Sequence, residues 1–140
     1  MKWPKPLLII ILLPLYFLSC DSKPYPHVLQ LADSLTNICP DSAIVLLKQF
    51  KDSASQESKE TQMYYQLLTI KAKDKAYIAH TSDSLILEVL HYYEKKKDKK
   101  YLPEAYYYAG RVYRDLGDAP QALDYFFKAI KSAKDCTNYR

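Results

Sequence analysis

Glycine is almost absent from this chain: two residues in 140. Phosphate-cradling loops, β-hairpin-rich folds and most catalytic loop architectures need residues that tolerate positive φ, so the scarcity tells against all three. A charge of one sign is lacking too. Twenty basic residues stand against 16 acidic ones, a formal charge of +4 with neutral histidines, too mild to mark a nucleic-acid partner. Histidine and cysteine occur three times each. His27, His80 and His91 have no metal-ligand spacing to one another, to a cysteine or to a carboxylate, so no metal site is expected. His91, between Leu90 and Tyr92, reads as a packed or surface residue, and His80 as one serving carbonyls at a helix end. There is no Gly-x-Ser-x-Gly elbow. The serines cluster at helix caps and in the 53–58 stretch, where a hydroxyl competes best for backbone groups. Asp33 with Asp41, or Asp115 with Asp118, read as caps and helix faces rather than acid–base pairs. Nothing converges chemically, and the expectation is a non-enzyme without a cofactor. What is present is a globular composition, 49% hydrophobic and 26% charged, with fourteen tyrosines.

The apolar run at the N-terminus is too short to span a bilayer. Residues 7–18 are apolar apart from Pro14 and Tyr16, and follow Lys2 and Lys5. About 12 residues at about 1.5 Å each fall well short of the roughly 30 Å of hydrocarbon, but suit the apolar region of an export signal. The segment ends Phe17-Leu18-Ser19-Cys20. This resembles a bacterial lipobox, with Phe17 where leucine is usual. The resemblance implies cleavage before Cys20 and acylation of its thiol. Each buried acyl CH₂ contributes about 0.8 kcal/mol, so several chains on one cysteine hold a domain to a membrane. The expected layout is a signal peptide over 1–19 and a tether over 20–26 interrupted by Pro24 and Pro26. The mature protein is then lipid-anchored in the cell envelope, with the periplasmic and surface faces of the outer membrane both open, and nearly neutral once Lys2 and Lys5 are lost. Cys39 and Cys136 either pair or are two unrelated helix-end thiols.

From His27 onward a helical period persists. Val28, Leu31, Ala32, Leu35 and Ile38 form one stripe, which Cys39-Pro40 ends. Asp41 is the expected cap of the next helix, whose stripe is Ala43, Leu46, Leu47 and Phe50. Polar residues 51–60 read as a loop. A longer helix is expected over about 60–78, with Met63, Tyr64, Leu67, Leu68, Ala72 and Ala76 on one side. Residues 80–83 stop it and cap another, which buries Leu85, Ile86, Val89, Leu90, Tyr92 and Tyr93 and ends in the solvated charge run 95–100. Leu102-Pro103-Glu104 opens a helix striped by Ala105, Ala109, Val112, Tyr113 and Leu116. Gly117-Asp118 turns the chain, with capping-box spacing from Asp118 to Gln121. The last stripe is Ala122, Leu123, Phe126, Ala129, Ile130 and Ala133. The fold class is therefore all-α: an α-solenoid of about three antiparallel helix pairs over 27–136, with a period of about 40 residues and a short tail over 137–140.

Residues 103–136 resemble the tetratricopeptide repeat over its full length. Tyr106, Ala109-Gly110, Tyr113, the Gly117-Asp118 turn, Ala122, Phe126 and Ala129 take the packing roles of that pattern, with Tyr106 replacing tryptophan and Lys134 standing where proline often falls. Leu31-Ala32-Asp33-Ser34-Leu35, Pro40-Asp41-Ser42-Ala43, Ser82-Asp83-Ser84-Leu85 and the run Tyr106 to Tyr113 are similar to repeat-containing lipoproteins and regulators of gut-dwelling Gram-negative anaerobes. The resemblance implies that Gly110 and Ala122 let paired helices approach, and that first helices line a concave groove. Mapped by position, Glu104, Tyr107, Arg111 and Arg114 would face a protein or peptide ligand there. Arg111–Asp115 pairing along the helix is the alternative use of those charges. The implied function is a membrane-anchored interaction scaffold. Two other readings are the sensor fragment of a repeat-containing transcriptional regulator and a carbohydrate-binding lipoprotein whose tyrosines stack on sugars. Leu123, Phe127 and Ile130 are expected to lack a partner on one side, which leaves self-association through the uncovered last helix, docking on another molecule, or a shortened relative of a longer regulator.

Cys20→Ser is expected to abolish incorporation of radiolabelled palmitate in cells; undiminished labelling would remove the lipid anchor.

Overall fold

The computed structural model describes residues 24–137, with side chains as far as residue 135. The expected signal peptide, Cys20, the side chain of Cys136 and residues 138–140 lie outside the described residues. Within them are six α-helices and no strand: α1 (His27–Thr36), α2 (Pro40–Ala54), α3 (Lys59–Lys75), α4 (Ser84–Lys96), α5 (Leu102–Asp115) and α6 (Ala119–Thr137). Each helix packs on the next in sequence. Alternate helices touch in one row only: α1 meets α3 and α3 meets α5, whereas α2, α4 and α6 do not meet one another.

This arrangement surrounds α3 with α1, α2, α4 and α5, and α3 is accordingly buried on more than one face. The expected Met63, Tyr64, Leu67, Leu68 and Ala72 are in the core, and Ile70, Thr61 and Asp74 join them from the other sides. On α1 the buried set is Leu29, Ala32 and Thr36: Ala32 is as expected, while Leu29 and Thr36 lie one position beyond the expected Val28 and Leu35. Val28 and Leu35 flank it, Leu31 is exposed, and Ile38 lies beyond the helix end at 81% exposure. Apolar residues at 28, 29, 31, 32 and 35 cover so wide an arc that periodicity alone does not choose its centre.

Helix ends differ from expectation in three places. Pro40 is the first residue of α2, Cys39 is its cap position, and Asp41 sits inside the first turn, where a carboxylate suits the dipole. The same helix continues to Ala54, which is buried at the spacing set by Ala43, Leu47 and Phe50, so residues 51–54 of the expected 51–60 loop are helical. Ser58 then caps α3 by accepting from the Thr61 amide at 3.2 Å. The third difference is the end of α3, at Lys75 instead of Ile78. There Tyr77 takes φ 58°, the Ile78 amide reaches Lys73 O at 2.9 Å, and the Tyr77 amide reaches Asp74 O at 3.1 Å, which is the Schellman pattern. Lys97 (φ 52°) and Gly117 (φ 79°) close α4 and α5 with the same pair of bonds.

The expected tether is partly docked. Tyr25 stacks on Tyr64 at 4.1 Å between centroids and 21° between planes, and meets Tyr101 edge-on at 6.2 Å. Tyr93 lies 5.5 Å from Tyr101, so four tyrosine rings join the chain before α1 to α3, α4 and the start of α5.

In the last pair, Ala109, Gly110 and Ala122 are buried, while Tyr106, Tyr113, Phe126 and Ala129 are half-buried. A Cβ added at Gly110 would fall 2.9 Å from Phe126 Cζ and nearer still to Cδ1 and Cε1. The missing side chain is therefore filled by the Phe126 ring. Tyr125, which the sequence reading passed over, lies between Tyr113 (5.3 Å, 18°) and Tyr106 (6.3 Å, 29°). Asp118 accepts from the Gln121 amide at 3.1 Å and opens α6.

Gly110→Leu is expected to destabilise the fold by about 1–3 kcal/mol through overpacking, read from denaturant unfolding. In a Phe126→Ala background the same substitution should cost much less. Equal costs in both backgrounds would mean that the two residues do not meet.

Candidate functional site

The three helices of the close-packed row, α1, α3 and α5, share a face on which charges are joined from helix to helix. Lys71 of α3 sits between two carboxylates, 2.8 Å from Asp33 Oδ1 on α1 and 3.0 Å from Glu104 Oε1 on α5. Burial would lower its pKa, but the two carboxylates outweigh it and the ammonium is held above its ordinary range. The Tyr64 hydroxyl donates to Asp33 Oδ2 at 3.0 Å. One turn further along, Arg111 of α5 donates from Nε to Asp74 Oδ1 of α3 at 2.6 Å. Asp74 is buried, its side chain only 4% exposed.

The next carboxylate joins α5 to the loop after α3. Asp115 Oδ2 accepts from the His80 backbone amide at 3.0 Å and lies 2.9 Å from His80 Nδ1. Asp115 Oδ1 takes both Nε and Nη2 of Arg114, at 3.1 and 2.7 Å. Burial would raise this carboxyl, yet the bonds from Arg114 and His80 hold it down at about 2. The other ring nitrogen of His80, Nε2, lies 3.3 Å from Ile70 O. An imidazolium donates at both nitrogens and a neutral tautomer at one. Neither nitrogen is open to a substrate.

Of the four residues mapped to the groove, three are thus already engaged. Glu104 is bound to Lys71, Arg111 to Asp74 and Arg114 to Asp115, and the expected Arg111–Asp115 pairing gives way to Arg111–Asp74 between helices. Tyr107 is the exception: it is exposed, with its ring 5.8 Å from Phe126. A carboxylate ligand would have to compete with Asp74 and Asp115 for the two guanidinium groups. His80 meets a carbonyl of α3, Ile70 O, in line with expectation, but it is also buried and bound to a carboxylate. The sequence carried one signal for the ion pairs that were missed. Asp33 and Lys71 are 38 positions apart, and Asp74 and Arg111 are 37 apart, close to the repeat period, so opposite charges recur at matching places on successive first helices.

Glu104 and Tyr107 border an open recess of about 390 Å³ against α6, whereas the hollows nearer Asp74 and His80 are small. One, of about 110 Å³, is lined by Tyr77, Ile78, Arg111 and Arg114; another, of about 150 Å³, by Ile70, His80, Ser82 and Val112. Sites for small organic ligands run to about 300–1,000 Å³. Among the described residues no group of three or more His, Cys, Asp or Glu side chains is placed to hold a metal ion, and no helix is long and apolar enough to cross a membrane. Cys39 is an exposed free thiol 3.1 Å from Ser42 Oγ, a hydrogen bond that lowers its pKa. Comparison with protein-family models, with curated proteins and with solved structures gives no match.

Asp115 titrates lower in the fold than its ordinary value of 3.8. Its contribution to stability is therefore complete above about pH 4 and lost as pH falls towards 2, by an amount on the order of 1–2 kcal/mol. Denaturant unfolding between pH 2 and pH 6 should show this loss, and Asp115→Asn should flatten the slope and lower stability at pH 6. An unchanged slope in the variant would show that Asp115 is not the titrating group.

Proposed function

We propose that this chain is a non-catalytic protein-interaction scaffold, built as a tetratricopeptide-like α-solenoid and held at a cell-envelope membrane by lipid on Cys20. The observation that carries the reading is the contact between alternate helices in one row only. A double row that is close-packed on one side and open on the other bends towards the close-packed side. This supports α1, α3 and α5 as the concave layer, the arrangement implied by the repeat resemblance of 103–136.

The chemistry of that layer narrows the partner. Its ion pairs leave little net charge, so a strongly acidic or basic ligand gains little by binding there. A protein or peptide segment with mixed polarity suits it better. Tyr107 offers an exposed aromatic ring at the edge of the row, a residue type that carries much of the energy in interfaces. The buried His80–Asp115 pair has its polar atoms satisfied within the fold and serves to position the loop before α4.

The test is site-specific photocrosslinking in cells. A benzophenone side chain placed at Tyr107 should give light-dependent adducts with an envelope protein. The same group at Leu87, exposed on the outer helix α4, should not. Adducts of equal yield at both positions, or none at Tyr107, would overturn the reading.

A further inference from the structure

We infer that α6 pairs antiparallel with α6 of a second copy of this chain about a two-fold axis at Phe127. Leu123, Phe127 and Ile130 are 56%, 62% and 52% exposed, and they follow one another at steps of four and three along one side of α6. Shallow recesses lie on the same side at either end. One, of about 240 Å³, is lined by Ala119, Ala122, Leu123 and Phe126. The other, of about 390 Å³, is lined by Tyr107, Ala129, Ile130 and Ala133.

The choice of a second copy rests on self-complementarity. Leu123 lies four residues before Phe127 and Ile130 three after it. At about 1.5 Å per residue, a two-fold axis at Phe127 brings Leu123 of one copy level with Ile130 of the other to within about 1.5 Å along the helix. Asp124 lies three residues before Phe127 and Lys131 four after it. The same axis sets Asp124 of one copy level with Lys131 of the other, along the rim of the stripe away from α5. Both pairs occur twice, as an isologous contact requires. Parallel pairing would instead leave the Asp124–Lys131 flanks of the two copies on opposite sides of the contact, where neither charge meets its opposite, so only the antiparallel form uses them. Asp124 also holds Lys128 of its own helix at 2.8 Å. The inference stands on the geometry of α6 and not on the scaffold reading, which a monomeric protein would leave intact.

The test is light scattering coupled to size exclusion on the full chain in mild detergent, up to concentrations on the order of 100 µM. A dimer is expected. Phe127→Glu should give a monomer with an unchanged helical circular dichroism spectrum; if that spectrum changes, Ile130→Glu on the same exposed stripe supplies the reading. Asp124→Lys and Lys131→Asp should each raise the dissociation constant several-fold. The double exchange Asp124→Lys/Lys131→Asp should bring it back to within about two-fold of the parent, and Lys128→Ala should leave it unchanged. A monomer at every concentration, a dimer indifferent to the glutamate variants, or a double exchange that fails to restore pairing would overturn the arrangement.

Discussion

A buried carboxylate must have a partner, and Asp74 sets that requirement at the centre of the molecule. It projects from α3, the helix enclosed by four others, and its partner Arg111 comes from α5. An ion pair removed from water contributes little net stability, because desolvation offsets most of the attraction. Losing Arg111 is another matter, since buried Asp74 is then left with only the more distant Arg114, 3.9 Å away. The pair therefore acts on register more than on energy. It resists sliding of α5 along α3, and Lys71 resists the same motion by binding Asp33 and Glu104 on either side. Apolar burial supplies the stability of the row, and the ion pairs restrict it to one alignment.

Turns in so glycine-poor a chain need another explanation. Three helices end in the same left-handed geometry, and one of the three residues is glycine: Gly117, against Tyr77 and Lys97. A left-handed conformation costs an L-residue roughly 1–2 kcal/mol. The two paired bonds at each end, which satisfy carbonyls the helix leaves over, offset part of that cost. This is why the Gly117 turn was legible in sequence and the end of α3 was not. Without a glycine or proline near Tyr77, helical periodicity runs on to Ile78 and the stop has no local mark. Helix identity was legible almost throughout, because spacing reports which residues face a neighbour. The rotation of α1 was not, because its apolar arc is wider than the face it buries. The ion pairs of Lys71 with Asp33 and Glu104 and of Asp74 with Arg111 were hidden for a related reason: they join residues more than 30 positions apart, and they emerge when the first helices are laid side by side.

The twelve tyrosines among the described residues have, for the most part, a structural account of the same kind. In a layer two helices thick, the space between neighbours lies close to solvent. Phenylalanine would fill such a space, but tyrosine fills it and also reaches a polar partner at the rim. Tyr64 donates to Asp33, Tyr106 to Glu94 and Tyr113 to Asp83, each from one helix to another element. Burial, reinforced by Glu94, pushes the Tyr106 hydroxyl up to about 12, so it remains a donor across the neutral range. Among the described residues, Tyr77 and Tyr107 are the exposed tyrosines. A composition that resembles a stacking surface for sugars is for the most part packing.

Two surfaces of this chain differ in what they can offer a ligand. On the inner face nearly every charge already has its match, and binding there exchanges one set of ion pairs for another. Exchange of that kind discriminates between partners more than it drives association. On α6 Leu123, Phe127 and Ile130 are apolar and more than half exposed among the described residues, so covering them removes them from water and breaks no hydrogen bond. Under the pairing proposed for α6, the driving force for association would lie on α6 and discrimination on the α1–α3–α5 row. Tyr107 belongs to both: it stands on α5 in the mapped groove stripe, and it lines the recess beside Ile130. A second copy covering α6 would therefore narrow access to the edge of the α1–α3–α5 face, and the two proposed contacts would compete for the same aromatic ring.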